Sequence, residues 1–516
     1  MQVIRGFDLF IVIAYLAAVP IFGVFFKRYV RTGKDYFLAG KMLPFWVIAM
    51  SLIGTNIGAY DYMGAAGGAY RFGIAQANYE WLGAIPAMVL SALLFIPFYW
   101  RSGAYTVPEY LGKRYSTAVR TIEAILWVAF LASVLGIFFW ASGLMLHTYL
   151  GWNLRFSIYL VAIIVAIYTV TGGLAAVAMT DVVQMLMMLV GGVAVMIIGF
   201  NLTGGWTGLV NMIEPTHPHH FQLFLPLDNP DYPWLGIVFG LGLVLSPAWW
   251  CCHQAIIQRT LGAKTAWDAK ASMMGAAFLK TLVPLLVVIP GLFALALCRD
   301  PSAIPNPDQA FPWVMRNLLP VGLSGLVFAS FIAALLSSMD STINSTATLI
   351  TRDIYQKFIK KDASDKHYLL LGRLITVLLV GWGIFFAPIT DRFPGIYRAM
   401  QELLTVFQGP TLATILLGVA WKRANKWGGL VGLLGGVAIS VSLGRTWQPI
   451  MDLPRTGINF LYAAWWSFVG SLILNIVVSL LTKPEPLEKI RGLVYGLVIK
   501  DSSTQDILKN RVEGGE

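Results

Sequence analysis

Charged side chains are scarce in this chain. Of its 516 residues only 12% are Asp, Glu, Lys or Arg, while 57% are apolar. A soluble protein carries about 25% charged residues. Half the usual charge at this length excludes one large soluble enzyme, and the apolar content excludes disorder. Cysteine is scarce too. Cys251, Cys252 and Cys298 supply neither a disulfide framework nor a metal spacing, and adjacent Cys251 and Cys252 in an apolar run read as small buried residues. No GxxxxGK[ST] loop is present, so nothing in the chain points to ATP as an energy source. Acidic residues are the rarer sign, 26 Asp and Glu against 37 Lys and Arg, for a formal charge of +11. In a soluble protein that excess would suggest nucleic acid. With a mean hydropathy of +0.69, the question becomes which side of a membrane holds the positive charge.

A helix needs about 20 apolar residues to cross the bilayer core. Such stretches occur at 7–26, 43–68, 77–100, 121–147, 156–171, 181–203, 234–256, 272–297, 319–347, 369–390, 396–420, 427–444 and 457–482, about thirteen transmembrane helices in an all-α integral membrane protein. Glycines crowd 427–444, and small residues let membrane helices approach closely. The first stretch lacks a basic n-region and a cleavage site, so it reads as a retained helix. With the N-terminus outside and loops alternating, 26 of the 37 basic residues fall on the inner side, Arg114 and Arg259 counted among them. The expected topology is therefore N-terminus outside and C-terminus cytoplasmic, in the cell membrane. The outer loop 204–233 holds no Lys or Arg, and its five prolines suggest irregular structure. Asn201-Leu202-Thr203 matches a glycosylation sequon, a pattern near chance at this length. Residues 1–482 form one transmembrane domain in this reading, and 483–516 a polar cytoplasmic tail with at most a short amphipathic piece at 489–499.

Polar residues in a bilayer core are functional suspects by default. Asp61, Glu80, Asp181, Lys280 and Asp340 stand deep in apolar spans; His253 and Glu402 either do so or lie near an interface. Lys280 needs an anionic or strongly polar partner. The run Ser51-Leu-Ile-Gly54-Thr55-Asn56-Ile57-Gly58-Ala59-Tyr60-Asp61 interrupts a good span. It is either a Gly-rich packing face or a helix broken at mid-membrane, whose free carbonyls would line a cavity or bind an ion. On a helix, Ala334, Ser337, Ser338 and Ser341 share one face, with Asp340 on its flank. Hydroxyls, free carbonyls and a carboxylate suit a hard cation, although serines also serve helix packing. One helix cannot supply the about five oxygens sodium takes, and the broken span is the natural source of the rest.

Taken together these residues resemble the solute:sodium symporter family, most closely its sodium/sugar cotransporter branch. The resemblance rests on Asp35-Tyr-Phe-Leu-Ala-Gly40, Ser51–Ile57, Tyr79-Glu80-Trp81, Tyr105-Thr-Val-Pro-Glu109, Thr171–Asp181, Gln254–Arg259, Ser337–Tyr355 and Met400-Gln401-Glu402. It implies a leucine-transporter-like pair of inverted five-helix repeats, spans two to six and seven to eleven, with an extra N-terminal helix and two C-terminal helices. It also implies a sodium site at the carbonyls of Gly54, Ile57 and Ala334 and the hydroxyls of Ser337 and Ser338. A second sodium or an ion path would involve Asp181, Asp340 and Ser341, with Ser337; alternatively Asp340 titrates and admits proton coupling. The family commonly has a small residue where this chain has Asp340.

By the same resemblance, Asn56, Glu80, Lys280 and Gln401 match sugar-binding positions. Asp61 replaces a glutamine, Gly83 a serine and Ser246 an asparagine, and Trp249 stands at the inner-gate tyrosine. Asp61 and Ser246 are retained as substrate-binding candidates. Charged and amide groups with paired donors and acceptors read several hydroxyls at once. The expected activity is sodium-coupled import of a sugar or polyol by alternating access, with sodium, the substrate and the lipid bilayer as partners, no nucleic acid and no obligate protein partner. Rival readings are the same fold carrying an amino acid or carboxylate with sodium or proton coupling, and a passive channel or sensor. An enzyme is not expected, because His253, Cys252 and the acidic residues show no catalytic spacing.

Overall fold

The computed structural model describes residues 6–26, 39–58, 60–229, 231–393, 395–444, 457–495 and 497. Among them no β-strand forms; two isolated bridges, Leu43–Ala263 and Leu225–Pro233, are the sheet-like pairings. In chain order the helices used below are α1 (Gly6–Phe26), α2 (Phe45–Asn56), α3 (Ala66–Phe72), α4 (Ile85–Arg101), α5 (Val107–Arg114), α6 (Thr117–Leu150), α7 (Leu154–Thr203) and α8 (Gly205–Ile213). There follow α9 (Gly236–Cys252), α10 (Gln254–Leu261), α11 (Ala266–Lys280), α12 (Val283–Leu297), α13 (Ala310–Leu318), α14 (Leu323–Leu349) and α15 (Asp365–Phe386). Last come α16 (Ile396–Ala420), α17 (Lys426–Leu443), α18 (Phe460–Leu481) and the short α19 (Leu487–Ile490).

Seven helices among the described residues are long and apolar enough to cross a membrane, or up to nine when each of two bent pairs counts as one span. α14 is the axis of the bundle: almost all of it is buried, packed against α1, α2, α6, α7 and α15. Peripheral helices turn apolar side chains outward instead. Leu374, Leu378 and Phe385 on α15 are 56%, 65% and 69% exposed, the arrangement expected of a surface solvated by lipid rather than water.

The expected break in the second span is present. α2 starts after Pro44 and ends where Ile57 turns to an extended conformation (φ −83°, ψ 98°). The chain becomes helical again at Tyr60, through a π-helical turn at Asp61–Ala65 that runs into α3. Two further breaks have no counterpart in the sequence reading. α9 and α10 meet at 45° across His253, whose Nδ1 accepts the Ala255 N–H at 3.2 Å and so caps the second half. α11 and α12 meet at 47° just beyond Lys280. The span opening each of the two expected repeats, 43–68 and 234–256, is thus a broken one.

Two expectations need correction, and two others gain detail. Spans 156–171 and 181–203 join in one unbroken helix, α7, because none of the intervening residues leaves the helical conformation. The outer loop is not wholly irregular, since α8 buries Leu209 and Ile213. Arg114, counted as an inner-loop charge, is fully buried and donates to the carbonyls of Gly418 (2.7 Å), Trp421 (2.9 Å) and Ala424 (3.0 Å). Those carbonyls close the C-terminal end of α16, where a helix has no backbone donors left and favours a cation. Part of the expected tail is docked: Ile490 and Val494 are buried, and the Tyr110 hydroxyl donates to the Leu493 carbonyl at 2.7 Å. Residues 498–516 lie outside the described residues.

At the end of the bundle carrying residues 204–233, the outer end in the expected topology, Asp308 accepts the Ile396 N–H at 3.0 Å and so caps α16. Burial pushes its carboxyl up to about 6, opposed by that hydrogen bond and by Arg71. Because the folded value lies above the ordinary carboxylate value, the folded state holds the extra proton. This site therefore favours folding more as pH falls from about 6 toward 4, and loses that advantage as pH rises through 6. The stability difference between wild type and Asp308→Asn, followed by thermal unfolding, should shift toward wild type between pH 7 and pH 5. A constant difference over that range would contradict the assignment.

Candidate functional site

The break after α2 places free backbone against α14. The Ser338 hydroxyl donates to the carbonyls of Thr55 (3.0 Å) and Ala334 (3.1 Å), tying the two helices at mid-span. Gly58 makes that approach possible, since a Cβ there would sit 2.7 Å from the Ser338 oxygen. Gly54 packs against the Asp181 backbone of α7, where a Cβ would meet the Asp181 carbonyl at 3.2 Å. Gly54, Ile57, Ala334, Ser337 and Ser338 therefore come together on one α2–α7–α14 seam. The carbonyl that Ser338 reaches is that of Thr55, between the two anticipated ones. These are neutral oxygens, the donor set of a hard monovalent cation.

Beside this seam lies a second cluster centred on Asp181. Its Oδ2 accepts from Ser51 (2.5 Å), Thr55 (3.2 Å) and the Arg259 guanidinium (3.2 Å), and its Oδ1 accepts from Ser337. Arg259, on α10, also donates to Ser51 (2.8 Å), Thr55 (2.5 Å), Ser341 and the Ala255 carbonyl (2.7 Å). Both members of the ion pair are fully buried. Asp340 is buried next to them, with one carboxylate oxygen 3.2 Å from the Ser341 hydroxyl. Arg259 corrects the sequence reading, which places it in an inner loop. Its neighbours in sequence are polar and the apolar span stops at 256, whereas the bend at His253 carries α10 back into the bundle.

The substrate candidates share one cavity. Asn56, Asp61, Glu80, Ser246, Lys280 and Gln401 all line it, and so does Trp249. Lys280 forms an ion pair with Glu80, donates to the Asn56 side-chain oxygen and lies 5.8 Å from the centre of the Trp250 ring. Asp61 also caps the helix break, since its Oδ2 accepts the Gly58 N–H at 2.8 Å. Tyr79, Tyr397 and Gln401 also line a neighbouring cavity at the end carrying residues 204–233, the outer end in the expected topology, and form the partition between the two. The Tyr79 and Tyr397 rings meet edge to face at 4.9 Å. In the outer cavity Arg398 pairs with Asp231 and, at 2.7 Å, with Glu402, so Glu402 serves an ion pair beside the site. His253, buried against Trp249 and Trp127, acts as the α10 cap.

Removing one member of a buried ion pair strands the other charge and costs about 3–5 kcal/mol. Arg259→Met should lower thermal stability on that scale, and Arg259→Met combined with Asp181→Asn should recover at least half of the loss. Additive losses in the double variant would show that the two residues do not act as a pair.

Comparison with known proteins accords with this geometry. The sodium:solute symporter family profile matches residues 36–436. The chain is 36% identical over 440 residues to a sodium/glucose cotransporter of Vibrio parahaemolyticus, covering 80% of each protein. It is 33% identical over 559 residues to a sodium/myo-inositol cotransporter of Canis lupus familiaris, covering 97% of this chain and 77% of that one. Among solved structures, a Na+-coupled sialic acid symporter in a substrate-bound outward-open state superposes with a TM-score of 0.81 at 21% identity, over 93% of this chain and 98% of that one. A nucleobase-cation-symport-1 family transporter superposes with a TM-score of 0.55 at 14% identity, over 91% and 97%. These two likenesses show the fold, a leucine-transporter-like helical bundle with broken helices at its centre. By the extent of the profile match and the identity to its relatives, the chain belongs to the sodium:solute symporter family.

Proposed function

We propose that the chain couples the entry of sodium to the import of a sugar or ring polyol by alternating access. The observation that carries this reading is the single cavity in which Asn56, Asp61, Glu80, Lys280 and Gln401 converge, one seam away from the Ser337–Ser338 hydroxyls. A neutral pair of opposite charges offers donors and acceptors together, which suits a hydroxyl ring. A simple carboxylate anion would be attracted by Lys280 but repelled by Glu80 beside it. The names of the glucose and myo-inositol relatives support the same class of cargo.

In this reading sodium binds between the break after α2 and the Ser337–Ser338 face of α14, replacing the Ser338–Thr55 hydrogen bond with ion–oxygen contacts. Because α2 carries Asn56 into the cavity, ordering that break also sets the Asn56–Lys280–Glu80 edge of the site. Closure is across the Tyr79–Tyr397 partition on the outer side, and release passes Trp249 on the inner side. The free energy comes from the sodium gradient plus about 2.3 kcal/mol per charge per 100 mV. The Arg259 guanidinium sits among Asp181, Thr55 and Ser341, where the family resemblance suggests a second sodium. A fixed cation there favours one sodium per cycle. The proposed orientation, with the N-terminus outside and the C-terminus in the cytoplasm of a cell membrane, rests on the basic-residue bias.

Proteoliposomes loaded without sodium and placed in sodium should accumulate labelled D-glucose or myo-inositol, and should not do so in choline. Absence of sodium-dependent accumulation of either sugar or polyol would overturn the reading. Ser338→Ala should raise the sodium concentration for half-maximal uptake at least tenfold. Lys280→Ala should abolish sugar uptake while sodium-dependent protection from heat remains. The sodium dependence of the initial rate should be hyperbolic, with a Hill coefficient of 1; a value near 2 would place a second ion in the cycle.

A further inference from the structure

The cavity holds polar atoms that the sodium and charge-pair chemistry leaves unused. On α16 the residues facing it are Tyr397, Met400, Gln401, Leu404 and Gln408, a stripe with helical spacing. Gln408 lies seven residues beyond Gln401, about 10 Å further along the axis. It is 1% exposed, and neither its Oε1 nor its Nε2 has a hydrogen-bond partner among the described residues. On the neighbouring α9, which packs against α16, the Ser246 hydroxyl and the Trp249 indole N–H face the same cavity and are likewise buried without a partner. A buried polar group left without a partner costs about 1–3 kcal/mol. A hydroxyl-bearing occupant of the cavity would satisfy these four atoms, which Leu404 on the same wall would not.

We propose that Gln408, together with Ser246 and Trp249, forms a second hydroxyl-reading face of the substrate cavity and determines specificity for a ring polyol bearing hydroxyls on more than one edge. This rests on the sugar or polyol reading above. The charged face of Asn56, Asp61, Glu80 and Lys280 reads one edge of the ring. The amide of Gln408 then offers one acceptor and one donor to neighbouring hydroxyls on another edge, Ser246 either donates or accepts, and Trp249 donates. A cargo with a single polar end, such as an alkyl carboxylate, would leave this second face unsatisfied and be rejected for that reason. Gln408 thus reads substrate identity, separately from the sodium seam.

The test compares wild type with Gln408→Met, which keeps the side-chain length and removes both hydrogen-bonding atoms, and with Gln408→Glu, which keeps the acceptors and removes the donor. Sodium-driven uptake into proteoliposomes is measured for D-glucose, myo-inositol and the series of monodeoxy analogues of each. Gln408→Met should raise KM for the better parent substrate at least tenfold with kcat within twofold and the half-saturating sodium concentration unchanged. For a monodeoxy analogue lacking a hydroxyl that Gln408 reads, the KM increase caused by Gln408→Met should be clearly smaller than for the parent substrate. Should Gln408→Met not fold, Gln408→Glu carries the test and should show the same position-specific pattern. An unchanged KM, or a loss of equal size for every analogue, overturns the role of Gln408 while leaving the transport reading in place. A wild type that accumulates neither parent overturns both.

Discussion

The carboxylate of Asp181 is the point at which four helices are held in register. It stands on α7, faces Ser51 and Thr55 on α2, takes Ser337 from α14 and is neutralised by Arg259 from α10. In a region without water each of those groups would be costly alone, so none can leave the cluster without stranding another. The break after α2 is fixed by this constraint. One side of it is anchored at Ser51 and Thr55, and the other is closed by Asp61 accepting the Gly58 N–H. Free carbonyls are thereby kept facing Ser338 and do not continue a helix.

The substrate cavity depends on the same arrangement. Asn56 is the last residue of α2, so the position of its side chain is set by where the helix stops. Lys280 is the last residue of α11, immediately before the 47° bend, and Glu80 lies in the irregular stretch after α3. Three chain interruptions thus deliver the three polar side chains that meet across the cavity. A continuous helix would satisfy its own backbone and present side chains at fixed steps of about 100°. An interrupted one can aim a side chain and a carbonyl into the same space. The α2–α14 seam proposed for sodium and the cavity share α2, which is a physical route by which occupancy of one can bias the other.

Much of this was legible in the residues. Few charges survive in apolar spans because each needs a partner, so Glu80, Asp181 and Lys280 could be singled out by their cost alone. The helical spacing of Ala334, Ser337, Ser338 and Ser341 could be read directly, as could the broken run at 54–57. Arg259 escaped because hydropathy places a guanidinium at a span end, and a bend at His253, just before an otherwise ordinary helix, carries no compositional mark. Gln408 escaped because an amide in a helix is unremarkable until its lack of a partner is seen. Arg114 counts toward membrane orientation in the sequence, although it is engaged with three carbonyls at the end of α16. The two spans that merge in α7 are separate by hydropathy, which measures apolar length and not backbone continuity.

The sequence by itself determined that this is a helical membrane protein, which polar residues lie within its spans, and that a serine face and a broken span belong together. These follow from the cost of polar groups in hydrocarbon and from helical periodicity, both of which act along the chain. Only the tertiary structure decided which of those residues meet. It placed Lys280 on Glu80 and Asn56, brought Arg259 onto Asp181, and made Tyr79, Tyr397 and Gln401 a partition between two cavities. The scarce charge of the chain excluded a soluble protein. Pairing inside the bundle, where no water competes, turned the remaining charges into a site.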